Sequence, residues 1–293
     1  MANTIAGVNL AAIAEESLPS LQSCFAPLRG VMGDFSPDIA AKGESVTTRV
    51  PTKPTAANLA SGYSATDVAM AAKTVTLDTF YGFVWGFTDT ERSKSALMLN
   101  DLFIQPALQA LGDKVFGDIW NLVVNANFGT SSTITAANFD RDDMVDLGAT
   151  LTDTKKAPKQ GRSLWADPQH YAGLVKSLNS AEIPGISADK AEAQVPRVAK
   201  FDSYETDLAD NNSENLAAFA FHRSSLLMAA RGVDATGAAQ AGVEVSDIAI
   251  PGLDIPVQFR RWYDPETGTL KYSVGLLYGV AVGNDMGVRV ITA

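Results

Sequence analysis

A long run of alternating residues, KTVTLDTFYGFVWGFTD at residues 73–89, restricts the fold more than any other feature of the sequence. The alternation predicts one strand, which at about 3.3 Å per residue would be roughly 45 Å long. One face of it would carry a row of mostly apolar side chains: Val75, Leu77, Thr79, Tyr81, Phe83, Trp85 and Phe87. A strand this long is unusual in a compact domain, and its aromatic face must be covered. The cover is either the rest of the same domain or another subunit.

A second strand is predicted shortly before this run. In ESVTTRVP, at residues 44–51, apolar and polar residues alternate until a proline closes the pattern. The segment between the two strands is rich in Ala, Ser and Thr, and we expect it to form the tip of a hairpin or a small excursion from one. Lys53 lies at the beginning of that segment.

Residues 90–126 carry the strongest helical pattern, with apolar residues at steps of three and four. About thirty residues at 1.5 Å each would give a rod near 45 Å long. We expect Asp89 or Thr90 to cap its first turn, which would contain Glu91. Pro106 is expected to kink the rod or divide it into two helices.

Length and composition exclude several classes of protein. The 293 residues suffice for one large domain or two ordinary ones, and the net charge of -10 argues against a protein whose main task is binding nucleic acid. Cys24 is the only cysteine, which excludes an internal disulfide and fits a reducing cytoplasm. No secretion signal and no apolar run long enough to span a membrane is found. We expect residues 1–40, which Pro19 interrupts, to form an arm and not a core element.

The stretch APKQGRSLWADPQHYAGL, residues 157–174, most resembles an active site because it gathers Arg162, Asp167 and His170. The motifs of serine hydrolases, zinc proteases and phosphate-binding loops are all absent from the sequence. A structural corner explains the stretch better: a short strand, Asp167 as a helix cap and Pro168 in the first helical position.

The acidic cluster of residues 140–146 has a similar explanation. Calcium-loop spacing would require an oxygen donor and a glycine where Met144 and Val145 stand. A helix cap followed by acidic first-turn residues accounts for the cluster. An enzyme of unrelated fold would have to build its site from Asp142, Asp143, His170 or His222.

The last third of the chain is predicted to be mostly β-structure. Two strand-forming runs flank the turn sequence DPETGT at residues 264–269, which predicts a hairpin. GVRVITA supplies a further strand near the C-terminus. The pattern of AFAFHRSSLLMAARG, at residues 218–232, fits a strand and a helix equally well.

In order and combined length, three segments resemble the major capsid proteins of tailed bacteriophages. They are TVTLDTFYGFVWGFTDTERSKSALMLNDLFIQPALQAL, FDRDDMVDLGATLTDTKKAPKQGRSLWADPQHYAGL and AFAFHRSSLLMAAR. The resemblance implies an α+β chain with the Hong Kong 97-type fold. It divides the chain into an N-terminal arm (1–43), an E-loop hairpin (44–90), a spine helix with the peripheral domain (91–190), and the axial domain with closing strands (191–293).

That resemblance also implies the function. Copies of the chain would assemble into the hexamers and pentamers of an icosahedral head, enclosing double-stranded DNA without sequence-specific binding. Because the hairpin begins near residue 46, a separate scaffolding protein is expected, together with a portal. The chain would be found in the virion after assembly in the host cytoplasm, with no cofactor and no catalytic or metal site. The residues expected to contact neighbouring subunits are Val46, Thr48, Arg49, Val50, Lys53, Tyr81, Phe83 and Trp85. An encapsulin-type shell of the same fold and, less favoured, a soluble hydrolase are the alternatives.

Overall fold

A computed structural model gives the fold. It describes residues 17–33, 45–51, 56, 60, 70–94, 99–178, 197–207, 214–250, 252–253 and 255–292. The helices are α1 (Leu18–Cys24), α2 (Asp89–Lys94), α3 (Leu99–Trp120), α4 (Arg141–Asp153), α5 (Pro168–Ser177) and α6 (Thr236–Gln240). The strands are β1 (Ser45–Pro51), β2 (Met70–Thr76), β3 (Thr79–Thr88), β4 (Ser131–Thr133), β5 (Arg162–Ala166), β6 (Phe201–Glu205), β7 (Leu216–His222), β8 (Leu226–Arg231), β9 (Glu244–Ile250), β10 (Ile255–Asp264), β11 (Thr269–Val282) and β12 (Gly287–Ile291).

The strands form three sheets. β1 and β2 make a two-stranded ribbon, and a five-stranded sheet has the order β3-β11-β10-β9 with β8 also paired to β11. The other five-stranded sheet has the order β4-β12-β7-β5-β6. The pairs β4 with β12 and β5 with β6 are parallel, and the remaining pairs are antiparallel. The chain is therefore a mixed structure in which helices pack on mainly antiparallel sheets.

The main hydrophobic core surrounds α3. Trp165 lies at its centre, with its ring centroid 4.7 Å from that of Phe116 and 4.6 Å from that of Phe221. Leu21 and Phe25, in and just after α1, are fully buried in the same core. The expectation that the first forty residues form only an arm is therefore wrong for residues 17–33. Their apolar side chains close one side of the core, and the Trp165 indole donates a hydrogen bond to the Pro27 carbonyl at 3.1 Å.

The predicted 45 Å strand is two strands in different sheets. β2 pairs with β1, whereas β3 pairs with β11, and the chain passes from one sheet to the other at Leu77 and Asp78. Leu77 is buried in a small cluster with Val46. The alternation of apolar and polar residues continues through this change of sheet, so the pattern alone could not reveal it. The predicted hairpin is present as the ribbon of β1 and β2.

The start of the long helical pattern differs from expectation, and Pro106 does not divide the rod into two helices. Pro106 lies inside α3, in which side chains after it, such as Leu108, are buried in the core. The N-cap of α2 is Thr88 and not Asp89 or Thr90. The Thr88 amide donates to the Glu91 carboxylate at 2.9 Å, and the Glu91 amide donates to the Thr88 hydroxyl at 3.3 Å, which is a capping box.

The predictions for the last third are confirmed. β10 and β11 form the expected hairpin, with Asp264 opposite Thr269, and β12 is the expected late strand. The ambiguous segment is two strands, β7 and β8, joined by a 3-10 turn at Arg223–Ser225. The two strands lie in different sheets, so this turn connects the two five-stranded sheets.

Gly279 allows β11 to pass close to the end of β2. A Cβ atom at Gly279 would overlap the Thr76 carbonyl and would lie 3.2 Å from the Val75 side chain. We expect Gly279→Ala to lower the free energy of unfolding by about 2 kcal/mol or more, because the backbone must move. Urea denaturation of the purified protein measures the change. Gly237→Ala is the matched control, since a Cβ there meets nothing within 4 Å. Equal midpoints for the two variants would contradict the close approach.

Candidate subunit interface

Four large apolar side chains stand exposed at the beginning of β3. The exposed fractions are 56% for Phe80, 49% for Tyr81, 48% for Phe83 and 63% for Val84. We call these four residues the β3 patch. β3 lies at the end of its sheet and, within the described part of the chain, pairs only with β11. An exposed apolar edge strand is a surface at which another chain can bind.

The aromatic row of β3 is covered at one end only. Trp85 is partly buried and stacks on Tyr272, with ring centroids 6.0 Å apart and planes 12° apart. Phe87 is buried and meets the same Tyr272 ring edge-on at 6.5 Å. The subunit itself thus covers the end of the row that contains Trp85 and Phe87. The end that contains Tyr81 and Phe83 remains open to solvent.

A polar network fixes the open end of the row to the long helix. The Lys114 ammonium lies 4.6 Å from the centre of the Tyr81 ring and forms an ion pair with Asp118. Asp118 also accepts a hydrogen bond of 2.5 Å from the Tyr278 hydroxyl. Burial, followed by the hydrogen bond and the charge of Asp118, raises the pKa of Tyr278 far above its ordinary value, so the hydroxyl remains a donor. α3, β11 and the β3 patch are therefore held together as one unit.

The residues of β1 that were predicted to contact a neighbouring subunit differ in their burial. Val46 is only 3% exposed and packs with Val75 and Leu227, so its side chain lies in the interior of its own chain. Thr48 is half-buried and lies opposite Lys73 on β2. Arg49 and Val50 belong to β1, but their side chains lie outside the described residues, as does all of Lys53.

Arg162, the first of the residues that suggested an active site, has a structural role. It is 2% exposed and begins β5. Its guanidinium donates hydrogen bonds of 2.8 to 2.9 Å to the carbonyls of Pro158, Gly148 and Ala157 and to the Thr152 hydroxyl. These bonds tie the end of α4 and the following loop to the sheet. Every one of these acceptors belongs to the protein's own fold.

Asp167 and His170 form the predicted helix corner. The Asp167 carboxylate accepts a hydrogen bond of 2.7 Å from the His170 amide and lies 2.6 Å from the ring Nδ1. The ring Nε2 lies 3.1 Å from the Ile134 carbonyl, and the side chain is 1% exposed. With both nitrogens engaged and the ring buried, His170 fastens α5 to the loop after β4. The sequence-based prediction of a strand, a cap and Pro168 at the helix start is confirmed.

The other residues of an imagined active site also have structural partners. Asp140 accepts hydrogen bonds from the amides of Asp142 and Asp143, and the Asp143 carboxylate accepts one from the Asp140 amide. His222 Nδ1 lies 2.8 Å from the hydroxyl of Ser224, which is itself 9% exposed. Burial, with smaller effects from Arg162 and Arg223, lowers the pKa of His222. Among the described residues, no three His, Cys, Asp or Glu side chains are placed to hold a metal ion.

Comparison with known proteins gives a result for structure and none for sequence. No family model matches the chain, and no curated protein does. A structure from Mycobacterium phage Che8 is 17% identical, with a TM-score of 0.58, and the match covers 89% of each chain. The capsid structure of the cyanophage P-SCSP1u is 11% identical, with a TM-score of 0.58 and coverage of 86% of this chain and 84% of that one.

A virus-like particle from Pyrococcus furiosus shares the same fold. It is 13% identical, with a TM-score of 0.52, and the match covers 94% of this chain and 98% of the other. In the part of the chain that the structure describes, none of the helices is both long and apolar enough to span a bilayer. The chain therefore has the fold of the major capsid proteins of tailed phages.

Proposed function

We propose that the chain is the major capsid protein of a tailed phage and that its copies form the hexamers and pentamers of an icosahedral head. The observation that carries the proposal is the likeness to capsid structures over almost the whole chain, 89% of this chain and 89% of the Che8 chain. The β3 patch supports it independently, because a cluster of four exposed apolar side chains on one edge strand is typical of a surface that binds another protein.

The fold suggests how the parts of such a subunit are distributed. The ribbon of β1 and β2 would be the E-loop hairpin proposed for residues 44–90, α3 would be the spine helix, and the α4, β5 and α5 region would belong to the peripheral domain within 91–190. Residues 191–293 would supply the axial domain and closing strands. Since residues 17–33 pack in the core, the arm proposed for residues 1–43 would reach a neighbour through its other parts.

In this proposal the subunit contacts centre on β3. Tyr81 and Phe83 are open to a neighbour, and Trp85 borders them from its stack on Tyr272. Covering two half-exposed aromatic rings with a neighbour removes apolar surface from water at every contact in the shell. Thr48, Arg49, Val50 and Lys53 would contribute from the hairpin, which lies next to β3 in the chain.

The charge of the chain fits a container for DNA. A net charge of -10 opposes tight adhesion to a polyanion, so the shell would enclose the DNA without binding particular sequences. A separate scaffolding protein and a portal are the further partners we propose. The protein would lie in the virion shell after assembly in the host cytoplasm.

An encapsulin-type compartment is the second candidate, and the virus-like particle from Pyrococcus furiosus favours it. That likeness, at a TM-score of 0.52, is no stronger than the likeness to phage capsids at 0.58. The contents of the particles distinguish the two, since a cargo enzyme without a portal or DNA would indicate a compartment. An enzymatic role has less support, because the side chains of Asp143, His170 and His222 have structural partners and that of Asp142 is exposed at the surface.

Light scattering of the purified protein, alone and with the candidate scaffolding protein, tests this proposal. We expect particles or sheets containing many copies in at least one of the two samples. A monodisperse monomer in both samples would contradict it. A shell that forms only around a second protein, and never with DNA or a portal, would favour the compartment.

A further inference from the structure

The direction of the β3 backbone groups indicates how the β3 patch is covered. The Asp89 amide donates to the Gly268 carbonyl at 3.0 Å, and these two residues continue the register in which Thr88 lies opposite Thr269. Hydrogen-bonded and non-hydrogen-bonded pairs alternate along an antiparallel ladder. The odd-numbered residues of β3 therefore direct their amides and carbonyls toward β11. The even-numbered residues direct theirs away from the sheet.

The outward-facing backbone groups coincide with the exposed side chains. They belong to Phe80, Gly82, Val84 and Gly86, and no strand in the described part of the chain pairs with this edge. The next even residue, Thr88, already donates its amide to Glu91 at 2.9 Å. The capping box of α2 thus ends the available edge after Gly86.

The side chains of the β3 patch lie on both faces of the strand. Because successive side chains alternate, Tyr81 and Phe83 share one face, whereas Phe80 and Val84 share the other. A neighbour lying flat on one face would leave the opposite pair in water. A strand added at the edge would place its own side chains beside both pairs and would satisfy the outward amides and carbonyls.

We propose that an extended segment of a second copy of this chain pairs with the outer edge of β3 over residues 80–86, adding a strand to the sheet. This inference rests on the proposed assembly and specifies its geometry. A second copy is the partner because the fold is that of proteins whose structures are capsids and virus-like particles, which are built from many like subunits. An apolar edge strand whose outward amides and carbonyls have no partner strand is a template for pairing with another chain.

Residue-resolved hydrogen exchange, compared between the isolated subunit and the assembled particle, tests the pairing. In the isolated subunit, the amides of Phe80, Gly82, Val84 and Gly86 should exchange rapidly, and those of Tyr81, Phe83 and Trp85 should be protected by β11. On assembly, the even-numbered amides should slow by at least about tenfold. Even-numbered amides that are equally fast in the particle would overturn the pairing while leaving the capsid proposal intact. Protection already present in the isolated subunit would also overturn it, because the chain's own residues would then cover the edge.

Val84→Pro and Val84→Ala provide a matched pair of variants. Proline removes the outward amide of residue 84 without removing a hydrogen bond to β11, and an edge strand tolerates it. Alanine shortens the side chain but keeps the amide. We expect Val84→Pro to raise the subunit concentration needed for assembly at least about tenfold above that of Val84→Ala.

Equal assembly of the two variants would overturn the pairing. Circular dichroism of the isolated Val84→Pro subunit confirms that it folds, and if it does not, the exchange measurement decides the question. If the unaltered protein forms no assembly at all, the proposed function fails and the pairing fails with it.

Discussion

Replacing Tyr81 and Phe83 together by serine will leave a folded subunit that no longer assembles. Both side chains are about half exposed, at 49% and 48%. Loss of the contact between the Tyr81 ring and the Lys114 ammonium costs the isolated fold about 1 kcal/mol, which is less than the loss expected at the subunit contacts. At a subunit contact, truncating a buried aromatic side chain costs about 2 kcal/mol or more, and two of them weaken each contact by roughly a thousandfold. The same contact recurs at every position of a shell, so assembly should be lost under conditions in which the unaltered protein assembles.

Two residues elsewhere provide the control for this double variant. Val145 on α4 and Tyr263 on β10 are exposed to a similar degree, 48% and 50%, and lie outside β3. Val145→Ser combined with Tyr263→Ser removes comparable apolar surface and should leave assembly intact. Thermal unfolding checks the fold of both double variants, and light scattering checks assembly. Normal shells from the Tyr81 and Phe83 variant would show that the β3 patch is not an interface.

Replacing Arg162 by methionine will strongly lower the folding stability of the protein. The change leaves three carbonyls and the Thr152 hydroxyl without their buried donor. Burial lowers the pKa of Arg162, but a guanidinium remains charged in proteins. Its partners are neutral, and each buried acceptor left unpaired costs about 1 to 3 kcal/mol, so several of them together cost about 3 to 5 kcal/mol. We expect a loss of that size in urea denaturation of the isolated subunit.

Arg197→Met is the matched control for Arg162. Its side chain is half exposed, and its ion pair with Asp202, at 3.4 Å, lies at the surface. Such pairs contribute at most about 1 kcal/mol, so the unfolding midpoint should change little. If Arg162→Met unfolds at the same urea concentration as the unaltered protein, Arg162 does not hold the corner together and the stretch around it needs another explanation.

Local signals in the sequence predicted the local structure well. Asp167 followed by Pro168 predicted a helix start, and the turn at Asp264–Thr269 predicted a hairpin, because capping and turn chemistry depend on adjacent residues. The change of sheet at Leu77 and Asp78 has no local signal, since the alternation continues through it.

The burial of residues in the candidate interface also depends on contacts that are distant in the sequence. The sequence identified the aromatic row but could not show which part of it the subunit covers, because the covering residue, Tyr272, comes from a strand far along the chain. Val46 is a similar case: Leu227, on β8, lies in the cluster that buries it. Whether another element covers Tyr81 and Phe83 depends on the packing against that face of the sheet, which is a property of the tertiary structure and not of the sequence pattern.

Electron cryomicroscopy of the assembled protein at side-chain resolution tests the capsid proposal most directly. We expect closed shells of pentamers and hexamers in which a neighbouring copy lies against Tyr81 and Phe83. Particles in which the β3 patch faces solvent would contradict the interface. Images that show only single subunits, both alone and with a scaffolding partner, would contradict the capsid function itself.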